Sequence, residues 1–230
     1  LADCNVPHIL LAYPLVGTSI ARFLSLIKTY PSSHFYAIGD DEDALKQLSN
    51  QAKSQNVVVD VLIDINLGMN RSGVSPESAF ILYEKCSKMQ GISLCGLHCY
   101  DGHHNDKDFI LRCERVEQSY QRVRELFGKI NQANLPCSIQ VMGGTPSFPC
   151  HARHPNVFLS PGTCFVMDNG YATNLPDLPF VPGAAILTRV ISHPDKGLFT
   201  LDLGYKGIAS DPLGLRGVII NYEDAEPIIH

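Results

Sequence analysis

The sequence predicts an α/β fold: a parallel sheet of about six strands with right-handed helical crossovers, too few strands to close a barrel, followed by the start of a β-region. Three observations predict it. Short apolar runs alternate with longer amphipathic ones through roughly the first 165 residues, the rhythm of strands joined by helices. The run VVVDVLIDI at 57–65 is β-branched and apolar on both parities, as a strand covered on both faces must be. Beyond Asp168 the texture changes: Pro176, Pro179 and Pro182 mark a linker, and two β-rich runs then flank HPDKG, the pattern of a hairpin.

The elements follow in order. Residues 8–13 (HILLAY) read as a strand and 18–29 as a helix with Ile20, Phe23, Leu24 and Ile27 on one face. Residues 34–38 form a short strand, and 42–54 a helix opened by the acidic Asp40-Asp41 pair. After the strand at 57–65, a helix at 75–89 starts with Ser75 as N-cap and Pro76 at its first position. Residues 92–100 are a strand. The longest helix spans 107–133, with Phe109, Cys113, Val116, Tyr120, Val123, Phe127 and Ile130 recurring at steps of three and four. Residues 138–142 and 157–160 are two further strands. The division is 1–168 as a partial barrel, 169–183 as linker and 184–230 as the opening of a β-domain, its hairpin strands at 184–192 and 198–203.

Composition bounds the function. Of 230 residues 45% are hydrophobic and 18% charged, which suits a folded domain and excludes a disordered chain. The net charge of −5, with no basic run, speaks against a nucleic-acid partner. No apolar stretch approaches the roughly 20 residues of a membrane helix, so no membrane partner is expected. The eight cysteines sit mostly in apolar runs without a CxxC pair; free buried thiols and a cytoplasmic protein are expected.

In parallel α/β folds the working residues follow the C-terminal ends of the strands. After 57–65 comes NLGMNRSGV, where Gly68 and Gly73 bracket Arg71, either a solvated loop arginine or a guanidinium offered to an anion or a cofactor oxygen. After 92–100 comes GLHCYDGHH. His98 and Tyr100 share parity and therefore a face; Cys95 and Cys99 share the other, which counts against a metal set of Cys95, His98, Cys99 and His103. After 138–142 comes Gly143-Gly144-Thr145, and after 157–160 comes Pro161-Gly162-Thr163. Two glycine-hydroxyl turns on consecutive strands build a cup of backbone N–H groups, a way to hold phosphate without a lysine.

VLIDINLGMNRSGV, GLHCYDGHH, MGGTPSF, SPGTCFVMD and LDLGYKGIASD, in this order, resemble the fold-type III pyridoxal-phosphate enzymes, the alanine racemase-like barrels, and within them the D-threonine aldolase and D-serine dehydratase branch. The resemblance implies a (β/α)8 TIM-type barrel, incomplete in this chain, and then a β-domain. It implies pyridoxal phosphate in the barrel mouth, with Gly143, Gly144, Thr145, Gly162 and Thr163 at the phosphate. Arg71 would meet the polar edge of the ring, and His98 and Tyr100 would line the pocket. The dehydratases carry tyrosine at the His98 position and histidine at the Tyr100 position, so the exchange here argues against a plain dehydratase. The implied activity is a lyase (aldol cleavage or β-elimination) or racemase on a small D-amino acid such as D-threonine or D-serine, in a homodimer. The alternatives are a non-catalytic pyridoxal-phosphate carrier of the same barrel type and an unrelated phosphate-binding barrel enzyme. Such carriers are single barrels, and the β-region counts against them.

By the same resemblance, the Schiff-base lysine belongs on a strand expected upstream of Leu1, and a zinc or manganese pair is expected downstream of His230. Lys28, Lys46, Lys53, Lys85, Lys88, Lys107 and Lys129 fall on predicted helices or their ends, Lys196 in the hairpin turn and Lys206 in the β-region. No residue of the chain itself is assigned to a metal.

Overall fold

In the computed structural model, which describes residues 1–204, 207, 208, 217–221 and 225, strands and helices alternate as β1 (His8–Pro14), α1 (Thr18–Thr29), β2 (His34–Gly39), α2 (Glu42–Ser54), β3 (Val59–Asp64), α3 (Pro76–Cys86), β4 (Ile92–Cys99), α4 (Phe109–Gln132), β5 (Ile139–Met142), α5 (Phe148–His151) and β6 (Phe158–Leu159). The six strands form one sheet in sequence order, every neighbouring pair parallel. This is the incomplete barrel the sequence predicts. Lys206 lies outside the described residues.

Local chemistry sets the helix ends. The Asp41 carboxylate accepts from Ala44 N at 2.8 Å and starts α2. Ser75 caps α3 ahead of Pro76, and Asp108 accepts from Ile110 N and Leu111 N at the start of α4. Asn56 and Asn134, with φ of 55° and 57°, turn the chain out of α2 and α4 in the left-handed region that asparagine tolerates.

The helices cover one face of the sheet. Phe23, Leu24, Leu45, Leu48, Tyr83, Val123 and Ile130 pack there with Ala37, Val61, Ile63 and Leu97. The opposite face is that which a closed barrel turns inward. It is sparse: Ile38, Leu62 and Val141, flanked by Leu10, Tyr36, Cys95 and Ile139. Tyr13 on edge strand β1 and Phe158 on edge strand β6 are exposed.

Several boundaries move. Val57 N–H bonds the Ala52 carbonyl and so finishes α2, which delays β3 to Val59. Helix α3 stops at Cys86 rather than 89. On α4 the buried stripe includes Arg112 and Leu126, while Phe109 stays exposed and Cys113 and Phe127 are only partly buried. A register shift between Leu94 and Gly96 bulges Cys95, so Cys95 packs on the inner face and Cys99 among the helices; the shared face expected from parity does not form.

A second compact unit begins at Thr163. It holds a 3-10 turn (Thr163–Phe165), helix α6 (Asn169–Asn174) capped by Asp168, and an antiparallel pair, β7 (Val190–Asp195) and β8 (Leu198–Leu201). The segment expected as plain linker thus carries a helix. The first hairpin strand starts at 190 rather than 184, and His193, Pro194 and Asp195 belong to it. The turn is Lys196-Gly197, with Gly197 at φ 78°. Among the described residues no helix is long and apolar enough to cross a membrane.

Candidate active site

The C-terminal ends of β2, β3 and β4 each carry a carboxylate, and each reaches one strand further on. Asp40 follows β2 and accepts from Gly73 N, in the loop after β3, at 2.6 Å. Asp64 ends β3 and meets His98 Nδ1 on β4 at 2.6 Å; its second oxygen accepts from Ser72 Oγ at 2.8 Å. Asp101 follows β4 and binds the Ser147 hydroxyl and His151 Nε2, both beyond β5. The mouth is stitched loop to loop by groups that sequence reading missed. The available signal was an aspartate closing three successive strand runs, in GD, ID and YD.

The loop after β3 is closely held. Asn66 Oδ1 accepts from Gly68 N and Asn70 N at 2.9 and 3.1 Å. Gly73 is required: its φ is 97°, and a Cβ there would stand 2.5 Å from Asn66 N. This frame presents Arg71, whose guanidinium carbon lies 4.6 Å from the centroid of the Tyr100 ring. Arg71 has no carboxylate partner among the described residues. Asp64, Ile65, Asn66, Met69, Ser72, Arg71 and Tyr100 line one recess. The structure therefore brings Arg71 and Tyr100 together, and His98 is tied to them through Asp64, which lines the same recess.

His98 is 5% exposed and Asp64 3%. A carboxylate only accepts, so His98 Nδ1 carries the donated proton and Nε2 is the nitrogen left for a ligand. Cys99 has its thiol pushed well up by burial first and then by Asp64 and Asp101, which disfavours the thiolate. Burial, with His103 beside it, lowers His104.

The glycine turn after β5 differs from an open cup of N–H groups. Gly143 N donates to Cys99 O at 3.3 Å and Gly144 N to Ser147 Oγ at 3.0 Å. Gly144 makes room instead: a Cβ there would lie 2.7 Å from Tyr100 Cε2. Thr145 is buried beside it. Ser160 Oγ donates to Gly143 O at 2.9 Å, which joins the end of β6, and with it the turn at Gly162, to the end of β5. Thr163 belongs to the second unit.

The donor set suits a flat, anionic, polar-edged group: an unpaired guanidinium, an aromatic wall, a histidine with one committed nitrogen, and a buried threonine beside two glycines. None of the described lysines lies in the recess. Lys28, Lys46, Lys53, Lys85 and Lys129 are on α1 to α4, Lys88 and Lys107 in loops, and Lys196 in the hairpin turn.

A six-stranded parallel sheet with its polar groups at the C-terminal strand ends is the arrangement of an incomplete α/β barrel. Residues 25–170 match the family model described as alanine racemase, N-terminal domain. The chain belongs to that family. A D-threonine aldolase of Arthrobacter sp. is 27% identical over 180 residues, 75% of this chain and 47% of the relative. The crystal structure of D-threonine aldolase from Filomicrobium marinum superposes with TM-score 0.72 at 25% identity, over 84% of this chain and 53% of that one. D-threo-3-hydroxyaspartate dehydratase from Delftia sp. HT23 gives TM-score 0.60 at 20% identity over 72% and 44%, a likeness of fold. The chain spans about half the length of these relatives.

Proposed function

We propose that this chain carries the pyridoxal-phosphate site of a lyase acting on a small D-amino acid with a 3-hydroxyl group, such as D-threonine or D-serine. The observation that carries the reading is the Arg71 guanidinium over the Tyr100 ring, at the mouth of a family barrel, without a carboxylate partner. The aldolase likeness in sequence and fold supports Cα–Cβ cleavage over β-elimination or racemisation.

When bound, the cofactor supplies an electron sink for charge developing at the substrate Cα. The chain's own groups place and orient. Arg71 would donate hydrogen bonds to the polar edge of the ring. Tyr100 forms a flat wall. Asp64 holds the His98 ring through Nδ1, which leaves Nε2 as the nitrogen that would accept or pass a proton. Thr145 and the turn at Gly162 would take the phosphate, with Gly143 and Gly144 leaving space. The resemblance adds a divalent cation, zinc or manganese, in the full-length protein; among the described residues no group of three or more His, Cys, Asp or Glu could hold one.

The test is turnover by the full-length protein with pyridoxal phosphate, with and without manganese or zinc, on D- and L-threonine and D- and L-serine. Glycine and acetaldehyde from D-threonine support aldol cleavage. A 2-oxo acid and ammonia instead mean elimination. No turnover of any D-enantiomer, with the cofactor bound, favours the carrier reading.

A further inference from the structure

We propose that Asp101, Ser147 and His151 form a buried clamp that sets the Gly143-Gly144-Thr145 turn for the cofactor's phosphate; they are positioning residues, and the inference rests on the pyridoxal-phosphate reading above. All three are fully buried. Ser147 Oγ accepts from Gly144 N at 3.0 Å and donates to one oxygen of Asp101. The other oxygen of Asp101 accepts from His151 Nε2 at 2.8 Å. Ser147 occupies the N-cap position of α5 yet makes no cap bond to its own helix, so its hydroxyl is committed to this bridge.

The bridge fixes a direction. The Gly144 carbonyl accepts from Ser147 N and Phe148 N at 3.2 and 2.9 Å. Its N–H is held by the Ser147 hydroxyl. The Gly144 peptide is therefore pinned on both sides to the start of α5. Across a planar trans peptide the C=O and the following N–H point opposite ways. With Gly144 O turned to α5, the Thr145 N–H is turned away from α5. The same carboxylate adjoins Tyr100 in sequence, so one buried charge ties the aromatic wall to the phosphate turn.

A buried carboxylate and histidine are costly to desolvate, and an apolar fill would close the same space more cheaply. What they add is a fixed hydrogen-bond geometry. Beyond His151 the chain continues through His154 Nδ1 at 3.3 Å to Glu117 at the surface.

Ser147→Ala removes the bridge without adding bulk. The protein, wild type and variant, is titrated with pyridoxal phosphate by absorbance, and the saturated samples are compared by ³¹P NMR. The expected result is a moved phosphorus resonance and an affinity at least about tenfold weaker, the scale of one charge-linked hydrogen bond, with the ring absorbance of the saturated protein unchanged. An unmoved phosphorus resonance, or ring absorbance disturbed to the same degree, overturns the clamp. Should S147A not fold, S147C keeps a weak donor and acceptor in similar volume and is read by the same two outcomes. A wild type that shows no saturable binding overturns the cofactor reading itself, and the clamp with it.

Discussion

Asp64 Oδ1 and His98 Nδ1 stand 2.6 Å apart, in register across β3 and β4, with both side chains almost fully buried. The pair commits Nδ1 of the histidine to Asp64. Ser72 fixes the other carboxylate oxygen, so the loop that carries Arg71 is anchored to the same group.

Asp64→Asn keeps the shape and removes the charge. It leaves one buried polar contact mismatched, with an expected cost of about 1–3 kcal/mol. Urea unfolding at pH 7 measures it. An unchanged midpoint would show that the pair contributes nothing to the fold.

Gly144→Ala pushes a methyl into Tyr100, since the new Cβ would stand 2.7 Å from Cε2. The ring must shift and carry the Arg71 contact with it. Losing one positioned contact of about 1.4 kcal/mol is a tenfold change, so pyridoxal-phosphate affinity should fall at least about tenfold. Gly128→Ala on α4 is the control: nothing lies within 4 Å of its Cβ. It should stabilise by about 0.5–1 kcal/mol, the ordinary gain of alanine in a helix.

How far the sequence revealed this site depends on distance along the chain. Helices α1 and α2 match their predicted limits, because the amphipathic stripes of both and the Asp41 cap of α2 are local. Arg71, His98, Tyr100 and the glycine turns were visible because each follows a strand. The carboxylates that organise them were not, because their partners lie 34 residues away for Asp64 and 46 to 50 for Asp101. The bulge at Cys95 also defeated parity, since one extra residue exchanges the two faces of a strand.

Burial lowers His154 below its ordinary value, with His151 adding to the effect and Glu117 opposing it; burial and His103 lower His104. A histidine depressed in the folded state leaves stability untouched at higher pH. As pH falls through about 6.5 the unfolded chain takes the proton first, and stability drops. The unfolding midpoint should therefore decline from pH 7.5 to 5. His154→Gln and His104→Gln should each flatten part of that slope. A midpoint that rises toward pH 5.5 contradicts the assignment.

All eight cysteines are free thiols. Burial pushes Cys95 up to about 12, and Cys86 and Cys137 each up to about 11. Native protein treated with a thiol reagent at pH 8 should react first at exposed Cys4 and spare these three. Denatured without reductant, it should yield at least six thiols. Cys113 and Cys150, with their sulfurs 2.7 Å apart, are the pair that oxidation in handling would remove. Fewer than six would contradict the expectation of unpaired cysteines.

The central claim is that Arg71 and Tyr100 form the wall of a pyridoxal-phosphate site. Titrating the protein with pyridoxal phosphate, and repeating this with Arg71→Lys, tests it most directly. The guanidinium fork is planar and stacks on an aromatic ring, while the lysine ammonium is a point charge that does neither. The account predicts saturable binding near one cofactor per chain and at least about a tenfold loss of affinity in the variant, the equivalent of one good hydrogen-bonded contact. Binding that does not saturate, or equal affinity in the two proteins, would contradict it.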